Sequence, residues 1–89
     1  MKDKVVLITG GAGGIGQATA KKFLNHGAKV VLVDINEESL KKVKENLPKN
    51  DENIKIIQAD VTNEADVEKY VKKTVDTFGK IDVFIIPQE

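Results

Sequence analysis

The residues best placed to do chemistry lie near the start of the chain, in Val5-Val6-Leu7-Ile8-Thr9-Gly10-Gly11-Ala12-Gly13-Gly14-Ile15-Gly16. A β-branched apolar run meets five glycines within seven residues, and an amphipathic helical pattern follows at once. A strand that turns through glycines into a helix aims free backbone N–H groups and a partial positive charge at one point, which suits a phosphate. The glycines fit two registers. Gly11-x-Gly13-x-x-Gly16 matches the general dinucleotide fingerprint, and Gly10-x-x-x-Gly14-x-Gly16, preceded by Thr9, has a different spacing.

Two carboxylates extend this element. Asp34 follows the apolar run Val30-Val31-Leu32-Val33, 18 positions after Gly16. At the end of a strand beside the first, it can accept both hydrogen bonds from an adenosine ribose. It would repel a 2′-phosphate, and neither Ile35 nor Asn36 supplies a cation, so NAD is expected over NADP. Asp60 ends a third apolar run and can meet the adenine amino group, with Val61 giving backbone contacts. For both aspartates the plainer alternative is a role at the start of the helix that follows.

The elements that must position these groups are legible in order. Strands are expected at Val5–Ile8, Lys29–Asp34, Ile54–Ala59 and Ile81–Ile86. The first helix should bury Ile15, Ala18, Thr19 and Phe23 and end near His26, with Gly27 past its cap. The second starts at Asn36, carries Glu37 and Glu38 in its first turn, buries Leu40, Val43 and Leu47 and stops at Pro48. Residues 48–53 are a surface turn. The third is capped by Thr62 or Asn63, has an apolar stripe of Val67, Tyr70, Val71, Thr74, Val75 and Phe78, and closes at Gly79. Strands alternating with helices of this length imply an α/β fold with a parallel sheet and right-handed crossovers. The expected fold is half of a doubly wound Rossmann unit. Its four parallel strands run in the order 3-2-1-4 with three crossover helices, two on one face and one on the other.

Composition narrows the function classes. The 89 residues make one small domain, and 14 basic side chains balance 14 acidic ones. That balance argues against nucleic acid or an anionic membrane as partner. The chain has no cysteine and one histidine, so no thiolate or histidine-cluster metal site is expected. The apolar run after Met1-Lys2-Asp3-Lys4 is too short for a signal peptide or a membrane span, and a cytoplasmic location is the default expectation.

Thr9-Gly10-x-x-x-Gly14-Ile15-Gly16, Val33-Asp34, Asp60-Val61-Thr62 and Phe78-Gly79-Lys80-Ile81-Asp82, in that order and spacing, resemble the short-chain dehydrogenase/reductase family. The resemblance favours the Gly10, Gly14, Gly16 register and implies an NAD-binding set of Gly10, Gly13, Gly14, Ile15, Gly16, Asp34, Ile35, Asp60 and Val61. It stops after the fourth strand. Where the family has Asn-Asn-Ala-Gly this chain has Ile86-Pro87-Gln88-Glu89, from which a truncated domain over residues 1–89 with a short foreign tail is expected. Family catalysis uses a Ser and a Tyr-x-x-x-Lys pair that lie later than position 89. The tyrosine here, Tyr70, is followed four residues on by Thr74, and the serine, Ser39, falls within the second helix. No catalytic residue is therefore expected, and an alcohol or ketone substrate is expected only with the remaining half. The alternative is a non-catalytic interaction protein that pairs with itself or a full-length homologue through Val83-Phe84-Ile85-Ile86.

Overall fold

The computed structural model describes residues 3–10, 13–47 and 53–86. The stop at Pro48, most of the 48–53 turn, Gly11 and the Pro87-Gln88-Glu89 tail lie outside them. The elements are β1 (Val5–Thr9), α1 (Gly14–Asn25), β2 (Lys29–Asp34), α2 (Glu37–Asn46), β3 (Ile54–Gln58), α3 (Glu64–Phe78) and β4 (Val83–Ile85). The strands form one parallel sheet in the order β3-β2-β1-β4, as the alternation of elements predicts.

Burial explains why the two central strands are unbroken apolar runs. Every residue of β1 is buried, as are Val30 to Val33 of β2, because side chains on both faces of a covered parallel sheet leave water. Val6, Ile8, Val30 and Leu32 point to the layer of α1 and α2, where Ala20, Leu40, Val43 and Leu47 meet them. Leu7, Val31 and Val33 point the other way, onto Tyr70 of α3 with Val67, Val71 and Phe78 packed around it. The edge strand β3 is less covered, with Ile54 buried in one layer, Ile57 in the other, and Lys55 and Gln58 exposed.

Caps end the helices as their residue types dictate. Asn36 accepts a hydrogen bond from the Ser39 amide (3.0 Å), and Asn63 accepts one from the Asp66 amide (3.2 Å). Asn63, rather than Thr62, is thus the α3 cap. Gly27 and Gly79 sit at φ +83° and +84°, past the ends of α1 and α3, in the left-handed region that favours glycine.

Three sequence expectations need correction. Ile15 is 45 % exposed and Ala18 is also exposed, whereas Gly16 and Ala20 are the buried residues of α1. Gly16 and Ala20 leave room for a close approach in the first half of the helix, and Phe23, as expected, packs with Leu24 against the same core further on. On α3, Val75 is 41 % exposed while Thr74 is buried; its hydroxyl donates to the Tyr70 carbonyl (2.8 Å), which removes the cost of burying it. The fourth strand is three residues long rather than six. Asp82 lies just before it, with both its backbone and its side chain hydrogen-bonded to Val5.

That last contact ties the sheet edge together. The Asp82 amide donates to the Val5 carbonyl (2.9 Å), and the Val5 amide donates to the Asp82 carboxylate (2.8 Å). Lys80 lies 3.1 Å from the same carboxylate oxygen. The Val5 hydrogen bond holds the Asp82 carboxyl below its ordinary value; Lys80 and Lys4 add to this and partial desolvation opposes it. The ionised form is the one the fold favours, so its contribution is complete above the ordinary carboxylate value of 3.8. It is lost as pH falls through the lowered value of the folded state. Asp82→Ala is therefore expected to lower the urea midpoint near neutral pH and to flatten its fall on acidification. An unchanged midpoint and an unchanged acid limb would show that the Val5–Asp82 pair does not anchor β4.

Candidate functional site

The turn between β1 and α1 is set by backbone conformation. Gly10 has φ +66°, which costs a residue with a Cβ about 1–2 kcal/mol. The Gly13 amide donates back to the Gly10 carbonyl (3.1 Å), and Gly13 then serves as the N-cap of α1. The first helical hydrogen bond runs from the Gln17 amide to the Gly13 carbonyl (2.9 Å). The amides of Gly14, Ile15 and Gly16 therefore precede the hydrogen-bonded ladder.

This helix start differs from the other two. α2 and α3 each have an asparagine cap and acidic residues in the first turn, Glu37 and Glu38 in one and Glu64 and Asp66 in the other. α1 has neither a side-chain cap nor an acidic residue in its first turn. A Cβ built on Gly14 would meet nothing within 4 Å, so this position has room for a side chain.

Beside Gly10 lies a cleft of about 260 Å³ lined by Gly10, Asp34, Ile35, Ala59, Asp60, Val61 and Thr62. The ends of β1, β2 and β3 converge there. Five predicted site residues (Gly10, Asp34, Ile35, Asp60 and Val61) line one cavity; Gly13, Gly14, Ile15 and Gly16 are outside its lining, at the start of α1, where a hydrogen bond ties Gly13 to Gly10. Ile15, Ile35 and Val61 are all exposed aliphatic side chains. Larger hollows of about 320 and 480 Å³ lie over β3 and along α1. Neither is lined by Gly10, Asp34 or Asp60.

The two carboxylates are held differently. Asp34 Oδ1 accepts from the Asn36 amide (3.2 Å). Asp60 Oδ1 accepts from both the hydroxyl (2.6 Å) and the amide (2.9 Å) of Thr62. These bonds, the hydroxyl first, hold the Asp60 carboxyl below its ordinary value. Part of Asp60 is thus committed to a local turn of the kind the plainer reading expected. Thr62 itself lines the cleft, a position sequence reasoning considered only as a cap. The Asp-x-Thr spacing was the available signal, since it allows an Asx turn. Away from the cleft, Tyr70 is buried in the α3 layer, and burial pushes its phenol upward. The Ser39 amide serves the Asn36 cap.

The family model for short chain dehydrogenases matches residues 4–86. The chain belongs to the short-chain dehydrogenase family. Among curated relatives, secoisolariciresinol dehydrogenase of Forsythia intermedia is 47 % identical over 83 residues, covering 93 % of this chain and 29 % of the relative. A short-chain dehydrogenase from Bacillus anthracis superposes with a TM-score of 0.92 at 36 % identity, over 98 % of this chain and 35 % of that one. The 3-ketoacyl-(acyl-carrier-protein) reductase of Brucella melitensis, solved with NADH, superposes at 0.84 with 36 % identity, over 93 % and 33 %. The chain thus spans about a third of the length of the short-chain dehydrogenases it matches, in their N-terminal portion.

The geometry separates fold from cradle at two glycines. Gly10→Ala should cost about 1–2 kcal/mol of stability, because the left-handed turn remains obligatory. Gly14→Ala should cost none, because its Cβ enters open space at a helical position. Chemical denaturation of both variants checks this. Equal losses would mean that the turn is not built as described.

Proposed function

We propose that this chain is the nicotinamide-dinucleotide-binding portion of an oxidoreductase, with NAD preferred over NADP. The observation that carries the reading is a cleft lined by Gly10, Asp34 and Asp60 at the strand ends, with Gly10 hydrogen-bonded to Gly13, the N-cap of a helix that has no side-chain cap. The amides of Gly14, Ile15 and Gly16, reached through Gly10 and Gly13, would hold the diphosphate. Asp34 would accept the ribose hydroxyls, and the exposed side chains of Ile35 and Val61 would flank the adenine. Asp60 would meet the adenine amino group with the oxygen that Thr62 leaves over. Gly16, buried against the sheet, would keep α1 close enough for its amides to reach.

Electrostatics supports the choice of cofactor. A 2′-phosphate at Asp34 would meet that carboxylate, and among the described residues no Lys or Arg lines the cleft to offset it. Repulsion between a phosphate dianion and a carboxylate is strong at contact distance. The NADH bound in the Brucella relative lends the same reading support. When bound, the dinucleotide would supply the hydride acceptor or donor, while this chain's residues bind and orient it. No residue of the chain is assigned a proton-transfer role.

Residues 1–89 form one dinucleotide-binding unit in this reading. Oxidation of an alcohol or reduction of a ketone is assigned to a chain of the relatives' full length. A cytoplasmic setting accords with the cysteine-free composition. An interaction protein pairing through β4 is less favoured. Phe84 and Ile86 are 43 % and 68 % exposed, but Val83 and Ile85 already pack on the α1 and α2 layer, and the cleft would have no part in such a role.

Calorimetric titration tests the proposal. NAD should bind at least tenfold more tightly than NADP. Asp34→Ala should weaken NAD by roughly ten- to a hundredfold, the value of charge-assisted hydrogen bonds, and narrow the gap to NADP. Gly14→Ala should weaken both nucleotides while leaving the fold intact. Tighter binding of NADP, or no binding of either, overturns the reading.

A further inference from the structure

The turn that carries Asp34 is held by more than its own residues. The Ala59 amide donates to the Asp34 carbonyl (3.0 Å), which extends the β2–β3 ladder past its last paired residues, Asp34 and Gln58. One residue further on, the Gln58 side-chain Nε2 donates to the Ile35 carbonyl (3.1 Å). The Asn36 amide then reaches Asp34 Oδ1, and Asn36 caps α2 through the Ser39 amide. Residues 34, 35 and 36 each have a polar group tied down, two of them by Gln58 at the end of β3 and Ala59 just past it.

The Ile35 carbonyl and the Asn36 N–H belong to the same planar peptide unit. Its oxygen is held by Gln58 on the neighbouring strand, and its hydrogen is donated to the Asp34 carboxylate. A rotation of that plane, which would swing the N–H away from Asp34, must break the Gln58 hydrogen bond. Side chains at a strand end that bond across to a loop carbonyl restrain this kind of rotation. No other side chain reaches this peptide from a distant part of the sequence among the described residues.

We infer that Gln58 is a positioning residue for dinucleotide discrimination: by fixing the Ile35–Asn36 peptide plane it keeps the Asn36 amide on Asp34 Oδ1 and so helps to hold the Asp34 carboxylate at the cleft rim. This rests on the dinucleotide reading above and adds to it a residue outside the cleft lining. Gln58 acts through Asp34 and touches no nucleotide. Its loss should therefore alter the ratio of NAD to NADP binding more than the binding of either diphosphate.

The test uses Gln58→Met, which keeps the length and removes the donor, and Gln58→Glu, which places a carboxylate against the Ile35 carbonyl. In the nucleotide-free chain, exchange of the Asn36 amide should quicken by roughly three- to tenfold in the methionine variant, the value of one hydrogen bond. It should quicken further in the glutamate variant, while the Val31 and Val33 amides of β2 stay unchanged. The preference for NAD over NADP should narrow by a similar factor in Gln58→Met. Unchanged exchange at Asn36, or a rise shared by β2, overturns the inference, as does an equal loss for both nucleotides. If the unsubstituted chain binds neither nucleotide, the dinucleotide reading fails and takes the discrimination role with it. The Asn36 exchange still reports separately whether Gln58 orders the turn.

Discussion

The amides that open α1 are the constraint on which the rest of the molecule depends. Helix starts need partners for their first N–H groups, and α2 and α3 find them in asparagine side chains and nearby acids. α1 is denied both, because its entry is built of glycines. The left-handed turn at Gly10 fixes where those amides sit, directly beyond the buried end of β1. β1 in turn is held from both sides, by β2 in register from Val5 to Thr9 and by β4 from Val6 to Ile8. A parallel sheet around one central strand thereby presents a positive helix end at its carboxyl edge, where open α/β sheets bind their ligands.

The fold was largely legible in the sequence because its signals are local and agree with one another. Continuous β-branched runs mark β1 and β2, Asn36 and Asn63 mark helix starts, and Gly27 and Gly79 mark helix ends. Less legible were the features set by tertiary approach. Periodicity placed Ile15 inside α1, but the close fit of helix to sheet selects Gly16 and Ala20. β4 was expected over six residues because Ile81 to Ile86 is apolar at all but one position. Pairing to β1 uses three, and the polar exception, Asp82, turned out to fasten Val5.

The site shows the same division. Glycine spacing and strand ends pointed to Gly10, Asp34, Asp60 and Val61, the family resemblance added Ile35, and all five line one cleft. Sequence could not show how the carboxylates are held. Thr62 takes up one oxygen of Asp60, and Gln58 steadies the peptide that helps to hold Asp34. Such support comes from residues of ordinary type on neighbouring strands, so no motif announces it. Thr9 is similar: it is buried, and its hydroxyl donates to the Ile85 carbonyl (3.4 Å), coupling the glycine turn to β4.

The central claim is that the α1 amides and the Asp34–Asp60 cleft form one ligand-binding surface. Amide chemical shifts of the ¹⁵N-labelled chain during addition of NAD measure this most directly. The account predicts that the shifts concentrate on Gly10, Gly14, Ile15 and Gly16 and on the turn from Asp34 to Asn36, with a second group at Asp60 to Thr62. Thr19, Phe23 and His26, which line the larger hollow along α1, should stay where they are. Shifts gathered at that hollow, or none at the glycine turn at saturating NAD, would contradict it.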